Sequence, residues 1–236
     1  MAGSVGYLNL QYWQKYKPGE IPTFPASPPE KLLNCIKGPI LDVGTGDGVL
    51  AEELADKGFL IYGTDIAVNI VNENKKRKSK AEFSVQDITT RTDFPDNFFD
   101  LVIFKFVLTN IHKKSWRGLG NEVFRILKPQ GKVWILEPLV SESYKKRYEL
   151  AANFIKDKNC AYVFSDKKLA EKINTKNELE RAIKENKVSR IVKHYTIEEL
   201  KQIFNKLELT DHRVFKIASP SGFTLNTIEG IFSKDI

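Results

Sequence analysis

From Pro39 onward, short apolar runs alternate with segments whose apolar positions recur at helical spacing. Ile40 to Val43, Phe59 to Thr64, Ala81 to Val85, Asp100 to Phe104 and Lys132 to Glu137 read as five strands. They are apolar nearly throughout, as strands are when both faces of a parallel sheet are covered by helices. Gly48 to Lys57, Ile66 to Lys78 and Ser115 to Leu127 read as the intervening helices. Gly58 closes the first and Lys128-Pro129-Gln130-Gly131 stops the third. Thr196 and Glu199 form a capping box that opens a helix through Leu207. Asp211 to Ile217 and Phe223 to Phe232 then read as an antiparallel hairpin around Ser219-Pro220-Ser221-Gly222. The pattern predicts an α/β fold with a mostly parallel seven-stranded sheet, helices on both faces and an antiparallel C-terminal hairpin.

Two segments fall outside this alternation. Residues 142–193 follow strand five and read as a helical insertion. Tyr144, Tyr148, Ala151 and Ile155 recur at helical spacing, and Leu169, Ile173, Leu179 and Ile183 form a weaker second set. Residues 1–30 carry Tyr7, Tyr12, Trp13 and Tyr16, then Pro18, Pro22, Pro25, Pro28 and Pro29, a proline density that forbids a long helix. Tyr12 and Tyr16 lie four apart on one helical face that must pack on the core or on a ligand. The expected organisation is an N-terminal aromatic and Pro-rich arm or lid (1–30), a cofactor-binding core (31–141), a helical cap (142–193) and a C-terminal completion of the sheet (194–236).

Composition narrows this picture. The 236 residues are 42% hydrophobic and 28% charged, enough for one large core. No apolar run reaches membrane-spanning length and no leader-like segment opens the chain, so a soluble, cytoplasmic protein is expected. Cys35 and Cys160 are isolated and lack metal-ligand spacing, so no metal is expected. The net charge is +7, and residues 142–193 hold 14 basic against 8 acidic residues. That surplus leaves open a nucleic-acid patch or a solvated helical face. The interleaving of acids with bases in Lys176-Asn177-Glu178-Leu179-Glu180-Arg181 dilutes a phosphate-binding stripe.

The chemistry concentrates where the first strand meets the first helix, at Leu41-Asp42-Val43-Gly44-Thr45-Gly46-Asp47-Gly48. Glycines there let a ligand approach the backbone, beside the free N–H groups of a helix start. Asp65 ends the second strand, where a carboxylate can accept from ribose hydroxyls. The spacing is GxGxG and not the dinucleotide GxGxxG, whose third glycine would fall at Val49. Asp42 would repel a pyrophosphate but suits a cationic sulfonium amino acid, whose ammonium it can accept from.

These residues resemble the class I S-adenosylmethionine-dependent methyltransferases, in particular the group related to ubiquinone and menaquinone biosynthesis enzymes (methyltransferase type 11-like). The likeness runs over about residues 35–140. Asp42 to Gly48 resembles the first motif and Gly63-Thr64-Asp65-Ile66 the second. Gln86-Asp87-Ile88 resembles the third, Phe94 to Val102 the approach to strand four, and Leu127 to Lys132 the loop before strand five. The resemblance implies a Rossmann-like fold and S-adenosylmethionine as cofactor. It also implies cofactor contacts from Asp42, Gly44, Thr45, Gly46, Gly48, Asp65, Ile66, Asp87, Ile88, Phe104 and Lys105. The density of large aromatics in the polar N-terminal stretch separately predicts that residues 1–30, with Tyr12 and Trp13, fold over the cofactor mouth. Asp42 as a turn cap and Asp87 as a turn residue are the alternatives for those two positions.

The acceptor side is less defined. Many relatives carry histidine where this chain has Asn110. His112 lies two residues on, and it reads either as a substitute base or as a surface histidine. Lys105 reads either as a contact to an anionic acceptor or as a solvated cation. Glu137 orients an acceptor or simply ends its strand, and His194 and His212 read as structural. Three functions stay open: methyl transfer to a small molecule under the 142–193 cap, methyl transfer to tRNA or another nucleic acid, and cofactor binding without transfer.

Overall fold

The computed structural model describes residues 5–15, 26–152, 157–164, 169–173, 175–185, 187–218 and 224–235. Tyr16, Pro18, Pro22, Pro25, Phe154, Ile155 and the Ser219–Gly222 turn lie outside the described residues. The strands of the main sheet are β1 (Ile40–Val43), β2 (Ile61–Asp65), β3 (Glu82–Val85), β4 (Phe99–Lys105), β5 (Leu127–Pro138), β8 (Glu208–Ala218) and β9 (Thr224–Ser233). Their order is β3-β2-β1-β4-β5-β9-β8. The first five pair in parallel, and β9 runs antiparallel between β5 and β8. This is the expected Rossmann-like sheet with its C-terminal hairpin. The chain reverses direction across the sheet between β1 and β4, the switch point at which such sheets bind ligands.

Helices α2 (Glu30–Leu33), α3 (Val49–Asp56), α4 (Val68–Lys76), α5 (Trp116–Ile126) and α9 (Ile197–Ile203) cover the sheet. Trp116, Leu119, Val123 and Ile126 repeat at helical spacing on α5, and they bury one face with Leu200 and Ile203 of α9. Leu50, Ala51 and Leu54 of α3 bury the other face against Ile40, Ile61 and Trp134. The Thr196–Glu199 capping box forms as expected, with Glu199 N–H donating to Thr196 Oγ1 at 3.1 Å and Thr196 N–H to Glu199 Oε2 at 3.0 Å.

The insertion after β5 holds the expected helices, α6 (Lys145–Ala152), α7 (Leu169–Lys172) and α8 (Lys176–Lys184). It also holds an antiparallel pair that helical periodicity did not anticipate, β6 (Cys160–Phe164) and β7 (Val188–Lys193). Tyr162, Phe164, Val188 and Ile191 build a small core there, separate from the two under the sheet. A lone two-stranded ribbon is marginal in water. Helix α1 (Val5–Lys15) completes it. Asn9 Nδ2 donates to Ile191 O and Ile191 N–H donates to Asn9 Oδ1, both at 2.9 Å. One side-chain amide thus acts as a further residue of the ladder.

Candidate functional site

The loop leaving β1 bends through three glycines at positive φ, Gly44 (+60°), Gly46 (+56°) and Gly48 (+75°). Gly44 is also constrained by space, because a Cβ there would lie 2.6 Å from Val107 Cγ2. Two carboxylates shape the loop. Asp42 Oδ2 accepts from the Thr45 hydroxyl at 2.7 Å. Burial pushes the Asp42 carboxyl up to about 6, the Thr45 hydroxyl and the charge of Lys105 pull it down, and Asp65 and Asp47 add to the rise. Asp65 accepts from Gly46 N–H at 3.2 Å and from Ala67 N–H at 2.9 Å, so it braces the first loop against the second. Its carboxyl is raised by burial, against backbone N–H groups of Ala67, Gly46 and Ile66. From α4, Asn74 Nδ2 donates to Gly46 O at 2.8 Å. The sequence reading passed over Asn74, although a fully buried asparagine on an amphipathic helix needs such a partner.

Beside the buried Asp65, Ile66 is 42% exposed. An apolar side chain left open next to a braced carboxylate leaves surface for a planar apolar group. Asp87 adopts the turn alternative in part, since its Oδ1 takes both the N–H (2.9 Å) and the hydroxyl (2.7 Å) of Thr89. Ile88 is buried in the core beneath.

The segment after β4 is held from both sides. Phe106 sits at φ +58°, a strained region for a side chain of that size. Glu137, at the end of β5, is fully buried and accepts from three successive backbone N–H groups: Val107 (2.7 Å), Leu108 (2.8 Å) and Thr109 (3.2 Å). Burial pushes its carboxyl up to about 8 against the pull of those donors. The Tyr195 hydroxyl supplies the complementary donor to Leu108 O at 2.7 Å and lies against Ile111 O as well. Glu137 therefore neither orients an acceptor directly nor merely ends a strand. It satisfies the backbone of the segment beside the cofactor loop. The missed signal was a glutamate closing an otherwise apolar strand, a residue type rarely buried without partners.

Helix α1 joins this edge. Trp13 Nε1 donates to Asn110 Oδ1 and Asn69 Nδ2 of α4 donates to Trp13 O, both at 3.4 Å. Arg190 of β7 lies 5.0 Å from the Tyr12 ring centroid and 5.1 Å from that of Trp13. Tyr144 packs on His194 at 4.6 Å between centroids, and the Tyr148 hydroxyl meets His194 Nδ1 at 2.6 Å. Burial, with Lys193 and Arg147 nearby, lowers His194 to about 4.

Two expected site residues are buried. Phe104 is fully buried and packs on Phe204 (5.8 Å between centroids), so it has no surface left for a ligand. Both faces of β4 are covered, since Leu101, Val102, Ile103 and Phe104 are all fully buried. His112 is buried beneath the insert, with Cys160 and Asp157 as the polar neighbours of its Nδ1. Lys105 remains at the loop, within electrostatic reach of Asp42.

Residues 41–135 match the family described as a methyltransferase domain. The chain is 33% identical over 98 residues to a demethylmenaquinone methyltransferase of Renibacterium salmoninarum, which covers 42% of this chain and 40% of that one. It is 34% identical over 124 residues to phosphoethanolamine N-methyltransferase 1 of Zea mays, covering 50% and 24% respectively. The matched stretch thus spans less than half of each of these relatives. Among solved structures, a SAM-dependent methyltransferase from Methanosarcina mazei superposes with a TM-score of 0.73 at 22% identity, over 92% of this chain and 100% of that one. That likeness establishes the shared fold.

Proposed function

We propose, for a chain whose residues 41–135 belong to the class I S-adenosylmethionine-dependent methyltransferases, that it moves a methyl group from S-adenosylmethionine to a small-molecule acceptor between the sheet edge and the 142–193 insert. The observation that carries this reading is the braced loop: three glycines at positive φ, held by Asp65 and Asn74, with Asp42 beneath and Ile66 open beside it. When bound, S-adenosylmethionine supplies an electrophilic methyl group on a sulfonium. Asp42 would accept from the ligand ammonium, Asp65 from the ribose hydroxyls, Ile66 would cover one face of the adenine, and Asp87 would accept from its amino group. Gly44, Thr45, Gly46 and Gly48 give the backbone room for the ligand. Lys105 and Phe106 border the acceptor side, and the strained Phe106 is held there by the Glu137 anchor. Tyr12 and Trp13 close the mouth from α1, with Asn110 pinning Trp13 rather than serving as a base.

A small acceptor is favoured by what the insert does with its charge. Arg190 stacks on Tyr12 and Trp13, Arg147 lies 5.4 Å from the Tyr144 ring, and Lys193 is buried in ion pairs. Part of the basic surplus is thereby committed to packing rather than presented to a phosphate backbone. The two relatives named above also carry small-molecule acceptors in their names, a demethylmenaquinone and a phosphoethanolamine.

Calorimetry with S-adenosylhomocysteine and NAD tests the reading. The former binds and the latter does not. Asp65→Asn keeps the side-chain volume but turns an amide NH2 toward one of the two backbone N–H groups of Gly46 and Ala67, and it weakens binding by at least about 1.5–3 kcal/mol, the loss expected for a charge-assisted hydrogen bond. Tight NAD binding, or a dissociation constant unmoved by Asp65→Asn in a folded variant, overturns it.

A further inference from the structure

Where the insert meets the core, three different donor atoms converge. His112 comes from the segment after β4, and Asp157 and Cys160 come from the turn that enters β6. One ligand atom of each lies within 4.8 Å of the other two. The side chains of His112 and Asp157 are 7% and 9% exposed, and Cys160 is buried. Asn159 at φ +59° turns the chain so that Asp157 and Cys160, three residues apart, face the same point.

The separations suit a cation site. His112 Nδ1 lies 3.7 Å from Asp157 Oδ2 and 3.6 Å from Cys160 Sγ. The first is beyond the roughly 2.7–3.2 Å of an N–H···O bond. Both are near the ligand-to-ligand edges of a tetrahedral site, about 3.3–3.6 Å for zinc–nitrogen, zinc–oxygen and zinc–sulfur bonds of ordinary length. Asp157 is held in place, while His112 Nε2 is buried with no hydrogen-bond partner among the described residues. Lys113 N–H donates to Asp157 Oδ2 at 2.9 Å, and Lys193 Nζ holds Asp157 Oδ1 at 3.3 Å. Lys193 also donates to Glu199 Oε1 at 2.8 Å and to Lys158 O at 2.7 Å. One ammonium therefore faces two carboxylates, the largely buried Asp157 and the partly exposed Glu199, which leaves one net negative charge. A divalent cation that displaces the Sγ proton to solvent adds one net positive charge and brings the centre to neutrality.

We propose that His112 Nδ1, Asp157 Oδ2 and Cys160 Sγ form a divalent transition-metal site, of zinc-binding chemistry, that fastens the insert to the segment after β4. A thiolate, an imidazole and a carboxylate select zinc over magnesium or calcium, and the fourth position is left to solvent. The site does not depend on the methyl-transfer reading. The sequence concealed it because its donors come from segments far apart, with no paired cysteine motif.

The experiment uses the full chain without a polyhistidine tag, freed of metal by a chelator and titrated with cobalt(II) and then zinc(II). One cobalt per chain is expected, with a thiolate-to-cobalt absorption that zinc abolishes by displacement. Cys35→Ser keeps that absorption and Cys160→Ser loses it. Asp157→Asn and His112→Gln weaken binding at least tenfold, and zinc raises the melting temperature of the wild type but not of Cys160→Ser. Cys35 and Cys160 are the two cysteines of the sequence. The wild type and Cys35→Ser therefore decide the question even where Cys160→Ser fails to fold. No saturable binding at micromolar metal, a cobalt spectrum without thiolate absorption, or an absorption lost with Cys35→Ser overturns the site.

Discussion

Glu137 offers the sharpest test of how the segment after β4 is held. Its carboxyl titrates near 8 in the folded chain, because burial outweighs three backbone donors, against 4.5 for the ordinary side chain. A folded-state value above the unfolded one means that the neutral form stabilises the fold. That contribution is complete below about 4.5 and is lost as pH rises toward 8. At about 1.4 kcal/mol per pH unit, the loss between roughly pH 5 and pH 8 comes to about 4 kcal/mol. Glu137→Gln removes the titration but not the volume. Its amide oxygen can keep the Val107 and Leu108 N–H groups, while the amide NH2 faces the N–H of Thr109. One buried donor then goes unsatisfied, at about 1–3 kcal/mol. The variant is therefore less stable than the wild type near pH 5 and more stable near pH 8. Urea unfolding of both proteins at three pH values and constant ionic strength measures this, and the difference between them cancels every other titrating group. Parallel stability curves with no crossing would refute the reasoning.

Gly44→Ala places a Cβ against Val107 at a positive φ, and it is expected to lower affinity for S-adenosylhomocysteine by at least tenfold with little change in the far-ultraviolet circular dichroism; unchanged affinity counts against the tight loop. Asp42 titrates near 6, so S-adenosylhomocysteine affinity should fall as pH drops through that value, and Asp42→Asn should bind weakly with a flat profile; calorimetry from pH 5 to 8 reads both.

The sheet was legible because its strands are buried on both faces and write themselves as unbroken apolar runs. Ile40 to Val43 and Asp100 to Phe104 needed no tertiary information. The glycine loop and Asp65 were legible for a related reason, since positive φ and a carboxylate at a strand end are chemical requirements of the site. The insert resisted. Cys160 to Phe164 and Val188 to Lys193 are rich in strand-forming residues, but they flank helices whose periodicity dominated the reading, and each becomes a strand by pairing with the other across the intervening helices. The roles of Glu137 and Tyr195 were hidden for the same reason, because the backbone groups they satisfy lie far from them in sequence. Phe104 shows the finest limit. Its strand was found, but a strand covered on both faces buries Phe104 whichever way it points.

The pairing of Asn9 with Ile191 sets an order of events during synthesis. The two residues are 182 positions apart. At the usual ribosomal pace of about 5–20 residues per second, the ladder partner of Asn9 is translated roughly 10–40 s after Asn9 itself. For that interval Tyr12 and Trp13 have neither Arg190 nor the edge of β7 to cover them, while the β1 to β5 half of the sheet has already been made. The nascent chain thus carries an early aromatic helix that must wait for a late ribbon, and only the C-terminal hairpin, whose β9 pairs with β5, is translated later still.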